Sequence, residues 1–500
     1  MNFWTPTTVQ HVTGGSWIVR PSGPGGTGEM FRTPVDGVSI DSRAAGATQA
    51  FVAVKGETFD GHDFLAQAAA KGCALVVVSD ESKVPAAWRA VGAGGPGGPG
   101  GTGGGSAAPA VLLVPDTVRA LQRLAAGYRR SLGALRVVGI TGSNGKTTTT
   151  RLVDSILKTK LRGSASIKSF NNHIGVPLTL LAARPQDQYV VCEMGMNHAG
   201  EIAPLTEMGA PDAAMITSIG RAHIENMGSL EAIAAEKASI FNGLRAGGLA
   251  VAPADVPVLA PYLKRLENVV TFGRGGHADL RLTHVETVPG PDGPTGQRFT
   301  VNGRWTCEMP LIGEHNAMNA LAAIAVARRL GLSDEEITRG LAGAAPAEMR
   351  LNRQTIGGVR VVNDAYNASP ESMAAALRTF ADLFPESKGG AASRRVLVLG
   401  DMLELGPAAE AAHDEVGRLI AQCCPPDVIV TLGASAGRYA DAAKGAGATI
   451  GESVRFGSAD DASCGKVADM LRPGDAVLLK ASRRMGLERI VKALEARAAR

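Results

Sequence analysis

From Leu135 onward, short apolar runs alternate with longer segments of mixed character. The runs RVVGITG, YVVCEMG, AAMITSI and GLAVAPA each predict a buried strand. TTTRLVDSILKTK, after the first of them, reads as a helix. Strand and helix in turn are the signature of a parallel sheet with crossover helices. A β-rich patch follows, ADLRLTHVE through RFTVNG to CEMPLIG, and then a strongly apolar helix, HNAMNALAAIAVARRL. After Pro346 the alternation restarts: VRVVND, a helix from Pro370, VLVLGD, a helix to about Cys423, DVIVTLG, a helix, AVLLK and a final helix. Ahead of Leu135, GVSIDSR, AFVAVKG and ALVVVSD read as strands, and FLAQAAAKG as a helix ended by Gly72. Asp116 is the expected N-cap of a helix running to about Leu132. The pattern predicts an α/β chain of three domains. Residues 1–133 form a small α/β domain, 134–345 a central parallel-sheet domain, and 346–500 a C-terminal Rossmann-like α/β domain.

Composition supports this division. Five hundred residues exceed what one core serves, and 45% apolar content is that of an ordinary globular protein. The 51 basic and 47 acidic residues nearly cancel, which argues against a nucleic-acid partner. The first fifteen residues lack the pattern of a signal peptide, and no apolar run is long enough to span a membrane. The six cysteines show no metal-ligand spacing. A cytoplasmic protein is expected. Residues 92–108, GAGGPGGPGGTGGGSAA, are too rich in glycine and proline to pack a core. They read as a flexible insertion between two strands of the first domain.

Candidate chemistry begins at Gly139-Ile-Thr141-Gly142-Ser143-Asn144-Gly145-Lys146-Thr147-Thr148. An apolar strand precedes it and a helix follows. Glycines let backbone N–H groups turn onto phosphate oxygens, and the helix N-terminus adds its partial positive charge. Lys146 would reach the β- and γ-phosphates, and the Thr147 hydroxyl could hold Mg²⁺. Ile140 stands where the general phosphate-loop pattern has its first glycine. The motif names a nucleotide and leaves the reaction open, since motors, kinases and switches share it.

Glu193 ends the run YVVCEMG, where a metal–nucleotide site needs a carboxylate; a solvated strand-end Glu is the alternative. The run AAMITSIG delivers Arg221-Ala-His223 to the C-terminal edge of the sheet, where α/β sites gather. Lys237, in EAIAAEKASIF, reads by spacing alone as a surface helix lysine.

TGSNGKTT, CEMGMNHAGEI, RAHIENMGS, Lys237, GEHNAMNAL and DAYNASPESM together resemble the Mur ligases, cytoplasmic ATP-dependent amide-bond synthetases of peptidoglycan precursor assembly. The resemblance covers nearly the whole chain. NNHIGVPLT from Asn171, Tyr366-Asn367-Ala368-Ser369-Pro370 and GDMLELG from Gly400 are similar to the MurF-type branch. The Asp-Asn-Pro-Arg motif of the diaminopimelate- and lysine-adding relatives is absent.

The resemblance implies a ligase that joins D-alanyl-D-alanine to a UDP-N-acetylmuramoyl-tripeptide through an acyl phosphate. It implies ATP and two Mg²⁺ as cofactors, and a monomer. Thr141, Gly142, Ser143, Asn144, Gly145, Lys146, Thr147 and Thr148 would bind ATP, with Asn316, Asn319, Arg350 and Asp364. Thr147, Glu193 and His223 would hold the metals, His223 the second. Lys146, His223 and a carbamoylated Lys237 would be catalytic. Ser42, Arg43 and Lys55 would contact the uridine diphosphate, together with the Asp60-Gly61-His62 turn. Asn171, Asn172, Tyr366 and Asn367 would contact the rest of the substrates. The sequence departs from the family's usual residues at Ser369, often Asn, and at Ala481, usually Gly.

Overall fold

A computed structural model describes residues 3–21, 30–31, 33–92, 108–167, 169–290, 293–385 and 393–499. The glycine-rich stretch expected to be flexible lies almost wholly outside them. The described strands form three sheets, of five, nine and six strands. By compactness the chain divides into two units. The first is Met1–Gly139, Arg162–Met194 and Pro204–Pro211; the second is Ile140–Leu161, Gly195–Ala203 and Asp212–Arg500.

In the first unit, Gly37–Ser39, Gln49–Val52, Leu75–Val78 and Ala110–Leu113 lie side by side in parallel. Leu75–Val78 and Ala110–Leu113 are neighbours, so the glycine-rich stretch does fall between two strands of one sheet. Ser16–Val19 adds an antiparallel edge, which the sequence reading did not foresee. Phe51, Val76, Val78 and Val111 fill the core on one face. The helix Thr117–Ser131 begins as expected: the Asp116 carboxylate accepts from the backbone N–H groups of Val118 and Arg119, at 2.8 and 3.0 Å. Such a cap satisfies donors that the helix cannot satisfy itself. This unit also holds the parallel pair Gly163–Ala165 and Tyr189–Glu193, the latter wholly buried.

In the second unit, Ala213–Ile216, Leu249–Pro253, Val269–Gly273 and Leu280–Val288 are parallel neighbours. The sheet then turns antiparallel through Gly296–Val301 and Trp305–Met309. This is the β-rich patch of the sequence. The helix Glu314–Arg329 is buried along most of its length, as its composition requires.

The third sheet runs Asn352–Ile356, Val359–Asn363, Ala476–Lys480, Arg395–Gly400, Val428–Leu432, Glu452–Phe456. It is parallel except for its first edge. Successive strand residues point to opposite faces. Leu397 and Leu399 pack with Phe380 and Tyr439 on one side, and Val396 and Val398 with Val430 and Leu494 on the other. A sheet covered on both faces is doubly wound, hence the Rossmann-like expectation holds. Gly400 belongs to this packing: a Cβ there would lie 2.7 Å from the Ala481 methyl. The alanine at 481 is thus accommodated by the glycine opposite it.

The loop after Gly400 is unusually well fixed. Asp401 accepts from the amides of Ala434, Ser435 and Ala436 at 2.9, 3.0 and 2.6 Å. His413, fully buried and stacked on Tyr439, accepts the Met402 N–H at Nε2 and donates from Nδ1 to the Ala409 carbonyl. Burial pushes the basicity of His413 down, so it stays neutral in that tautomer. Asp401→Ala leaves buried donors unpaired, and a loss of about 2–3 kcal/mol is expected, read as a lower thermal midpoint. An unchanged midpoint would show that water satisfies those amides equally well.

Candidate functional site

The phosphate-loop candidate lies between the strand Arg136–Thr141 and the helix Lys146–Leu157. Two of its glycines are sterically obligatory. Gly142 has φ +152°, and a Cβ there would sit 1.9 Å from Thr217 Oγ1. Gly145 has φ +85°, and a Cβ would meet Asn319 Oδ1 at 2.5 Å. Ser143 and Asn144 are tied to the next strand's loop. The Ser143 hydroxyl bonds the Gly220 backbone, and the Asn144 amide donates to Ser218 Oγ. Thr141, Ser143 and Thr147 are buried. The cradle is therefore rigid and shaped for a group without side chains in its way, as phosphate is. Lys146 donates to the Gly142 carbonyl at 2.7 Å, folding its ammonium over the loop.

A cavity of about 350 Å³ opens beside this loop. Nine of the residues expected from the sequence line it: Asn144, Gly145, Thr148, Asn316, Asn319, Arg350, Asp364, Tyr366 and Asn367. The size suits a nucleotide-scale ligand. Arg350 reaches across and donates to Thr147 Oγ1 at 3.0 Å, while its guanidinium stacks on the Tyr366 ring at 4.0 Å. Met349 and Leu351 on either side have φ +53° and +50°, a costly conformation for side chains of their size. Asp364 holds that turn by accepting the Leu351 amide, and Tyr366 N–H donates to the Met349 carbonyl. Asp364 also pairs with Lys480 at 2.5 Å, and Lys480 donates to the Asn367 carbonyl. Lys480 is almost fully buried, and the sequence reading, which noted it only beside Ala481, gave it no role. Its position at the end of a parallel strand was the available signal. Tyr366 and Asn367 thus have structural tasks at the cavity: one supports Arg350, the other anchors Lys480.

Ser369 is the N-cap of the helix Pro370–Leu383, in a reciprocal capping box with Ser372. Its hydroxyl also lies 3.3 Å from Asn144 Oδ1. The departure from Asn costs this site no capping function.

His223 sits at φ +63°, with Nδ1 2.6 Å from Glu404 Oε2. The contact is close, but Nδ1 makes no formed hydrogen bond there. Burial and the nearby Lys146 lower the histidine's basicity, against the opposite pull of Glu404. A neutral imidazole can ligate a metal.

Lys237 is not the surface residue that its spacing suggests. It is 1% exposed, on the helix Leu230–Ala238. Burial, reinforced by Lys146, holds its ammonium well below the ordinary lysine range, while Glu236 opposes the shift. Glu236 is itself engaged by the amides of Gly200 and Ile202, both at 2.8 Å.

The remaining candidates lie in the first unit. Glu193 is 1% exposed and accepts from Asn171 Nδ2 at 2.8 Å, so it is no solvated strand-end residue. The Asn172 side chain closes the turn just before the helix Gly175–Leu181, accepting from the amides of Ile174 and Gly175. Ser42 donates to Gln67, Arg43 is exposed and pairs with Asp41, and Lys55 bridges to Asp60 through its backbone. His62 is buried, with Nδ1 on Asp60 and Nε2 accepting the Ser79 amide. A Cβ on Gly61 would strike the Val54 backbone at 2.7 Å. The Asp60-Gly61-His62 turn is thus a fastening of the first sheet.

Each donor suits Mg²⁺ in kind: in the second unit a loop hydroxyl at Thr147 and, with its basicity lowered, the imidazole of His223, and in the first unit a buried carboxylate at Glu193. Among the described residues no three His, Cys, Asp or Glu side chains form a cage. Mg²⁺ ordinarily takes one or two protein ligands, with water and phosphate filling the rest. Among those residues, also, no helix is long and apolar enough to cross a membrane.

Comparison with known proteins accounts for this arrangement. Three family profiles match in succession. "Mur ligase family, catalytic domain" matches residues 34–129, "Mur ligase middle domain" residues 140–327, and "Mur ligase, glutamate ligase domain" residues 349–483. The chain is similar to the UDP-N-acetylmuramoyl-tripeptide–D-alanyl-D-alanine ligase of Bacillus subtilis (strain 168), 39% identical over 472 residues, covering 93% of this chain and 94% of that one. The enzyme of the same name from Mycobacterium tuberculosis (strain ATCC 25618 / H37Rv) is 34% identical over 92% of each chain. A crystal structure of MurF from Acinetobacter baumannii superposes over 99% of both chains, with TM-score 0.79 and 30% identity. MurF ligase from Thermotoga maritima, solved in complex with ADP, covers 93% of this chain and 98% of its own, with TM-score 0.72 and 27% identity. Three sheets, three successive profiles and relatives matched end to end leave one assignment: the chain belongs to the Mur ligase family.

Proposed function

We propose that this protein is the ATP-dependent ligase that joins D-alanyl-D-alanine to UDP-N-acetylmuramoyl-tripeptide in peptidoglycan synthesis, acting as a cytoplasmic monomer. Support comes from relatives named for that reaction that match more than nine-tenths of the chain. The observation that carries the mechanism is the cavity between the phosphate loop and the Tyr366 segment, bridged by Arg350 onto Thr147. In this reading residues 1–133 hold the UDP-sugar-peptide, 134–345 the ATP, and 346–500 the incoming dipeptide. Ser42, Arg43 and Lys55 face the uridine diphosphate, and Asn171, Asn172, Tyr366 and Asn367 the peptide portions.

The chemistry follows from a poor leaving group. An amine cannot expel oxide from a carboxylate, so the tripeptide's terminal carboxylate first attacks the γ-phosphorus of ATP. ADP departs and an acyl phosphate forms. The dipeptide amine then attacks the carbonyl carbon, loses a proton, and expels inorganic phosphate. Lys146 offsets repulsion between carboxylate and γ-phosphate, with donors preplaced by the rigid loop. Asn316, Asn319, Arg350 and Asp364 orient the nucleotide. Thr147, Glu193 and His223 would hold Mg²⁺, which supplies further neutralisation of phosphate charge when bound. Lys237 carries a carbamate in the working enzyme: CO₂ needs a neutral amine, and burial beside Lys146 provides one.

Heavy-oxygen labelling of the tripeptide carboxylate tests the pathway. One labelled oxygen should appear in the released phosphate. Unlabelled phosphate would mean that ATP is hydrolysed by water and the acyl phosphate reading is wrong.

A further inference from the structure

The loop that carries His223 is gripped by the C-terminal sheet's own segments at three successive alternate residues. Arg221 donates through Nε to Glu371 at 2.8 Å and through both terminal nitrogens to Glu415 at 2.7 and 2.9 Å. Its backbone amide also reaches Glu371, at 3.2 Å. His223 faces Glu404. The Glu225 amide donates to the Glu404 carbonyl at 3.3 Å, and Gly406, at φ +52°, packs against the Glu225 side chain. Glu371 lies in the first turn of the helix Pro370–Leu383, and Glu415 lies on the helix Ala409–Cys423. Glu404 stands in the loop fixed by Asp401 and His413.

Exposed ion pairs of this kind add little stability on their own, since Arg221 and both its partners are at least one-third exposed. Their value here is geometric. A guanidinium with a two-pronged carboxylate contact permits one orientation, which single point charges do not. The loop also needs holding, because His223 pays for a left-handed backbone that a β-carbon disfavours.

We propose that Arg221 is a positioning residue. Through Glu371 and Glu415 it ties the loop 221–228 to the C-terminal sheet's helices, so that His223 reaches its working position only while that lobe is engaged. The proposal rests on the reading of His223 as a metal ligand given above.

The test compares wild type with Arg221→Met, Glu415→Gln, the double variant and His223→Asn, each checked for an unchanged melting profile. Hydrogen exchange reads the loop directly: the Glu225 amide should exchange about tenfold faster or more in Arg221→Met. Mn²⁺ binding, followed by its spin-resonance signal with a β,γ-methylene ATP analogue present, reads the site. Loss of an orienting partner typically weakens a metal site about tenfold or more, and that loss is expected for the weaker Mn²⁺ in Arg221→Met and Glu415→Gln. The double variant should be no worse than either single one. Wild-type exchange and Mn²⁺ affinity in Arg221→Met, with the weaker Mn²⁺ lost in His223→Asn, would overturn the positioning role and leave the His223 reading standing. Two Mn²⁺ at wild-type affinity in His223→Asn would overturn the His223 reading itself.

Discussion

Lys146→Ala is expected to abolish ligation while the protein keeps its fold. The Lys146 ammonium donates to the Gly142 carbonyl of its own loop, a contact that water can replace. The glycines, the Thr217 and Asn319 packing and the buried hydroxyls hold the loop without it. The charge itself has no substitute at the site where a carboxylate must approach a γ-phosphate. Removing one preplaced group of this kind costs on the order of a hundred- to a thousand-fold in kcat. The circular dichroism spectrum and melting temperature should stay within error of wild type, while ADP formation falls by about that hundred- to thousand-fold factor. Near-normal ADP release would sink the assignment of residues 141–148 as the phosphate loop.

Lys237→Ala is expected to be comparably inactive, for a different reason. The amine is enclosed, and its burial favours the neutral form. A neutral amine takes up CO₂ and becomes an anion, which Lys146 nearby can balance. Intact mass measured in bicarbonate buffer should show one added CO₂, absent from Lys237→Ala. Lys237→Arg should be as inactive as the alanine variant, because a guanidinium is never neutral at working pH. The stability consequence has a definite sign. The folded-state pKa lies below the unfolded value, so between the two the unfolded chain binds the extra proton, and stability rises with pH through that window. In CO₂-free buffer at neutral pH, Lys237→Met should therefore melt higher than wild type. Full activity in Lys237→Ala would show that the lysine has no part in the reaction.

These two residues mark the reach of the sequence. Lys146 was legible because its surroundings are local: an apolar strand, a glycine turn and a helix start within a dozen residues. The Asp116 cap and the doubly wound C-terminal sheet were legible on the same ground. Lys237 was not. Its helix buries Ile233, Ala234, Glu236, Lys237 and Ala238 together, so periodicity offers no polar face to contradict. Arg221 was passed over because its partners lie 150 and 194 residues away along the chain. The Ser16–Val19 edge strand likewise exists through a pairing with Ala110–Leu113 that no local pattern encodes. Asn172 illustrates the reverse. Its side chain has a local task in the turn before a helix, which a turn-residue reading of Asn-Asn-His-Ile-Gly could have found.

Phosphate release with UDP-N-acetylmuramoyl-tripeptide and each of D-alanyl-D-alanine, diaminopimelate and glutamate tests the proposed function most directly. Release should require ATP, the tripeptide and D-alanyl-D-alanine together, and the product should have the mass of the UDP-muramoyl-pentapeptide. Release with another acceptor instead, or with ATP alone at the same rate, would contradict it.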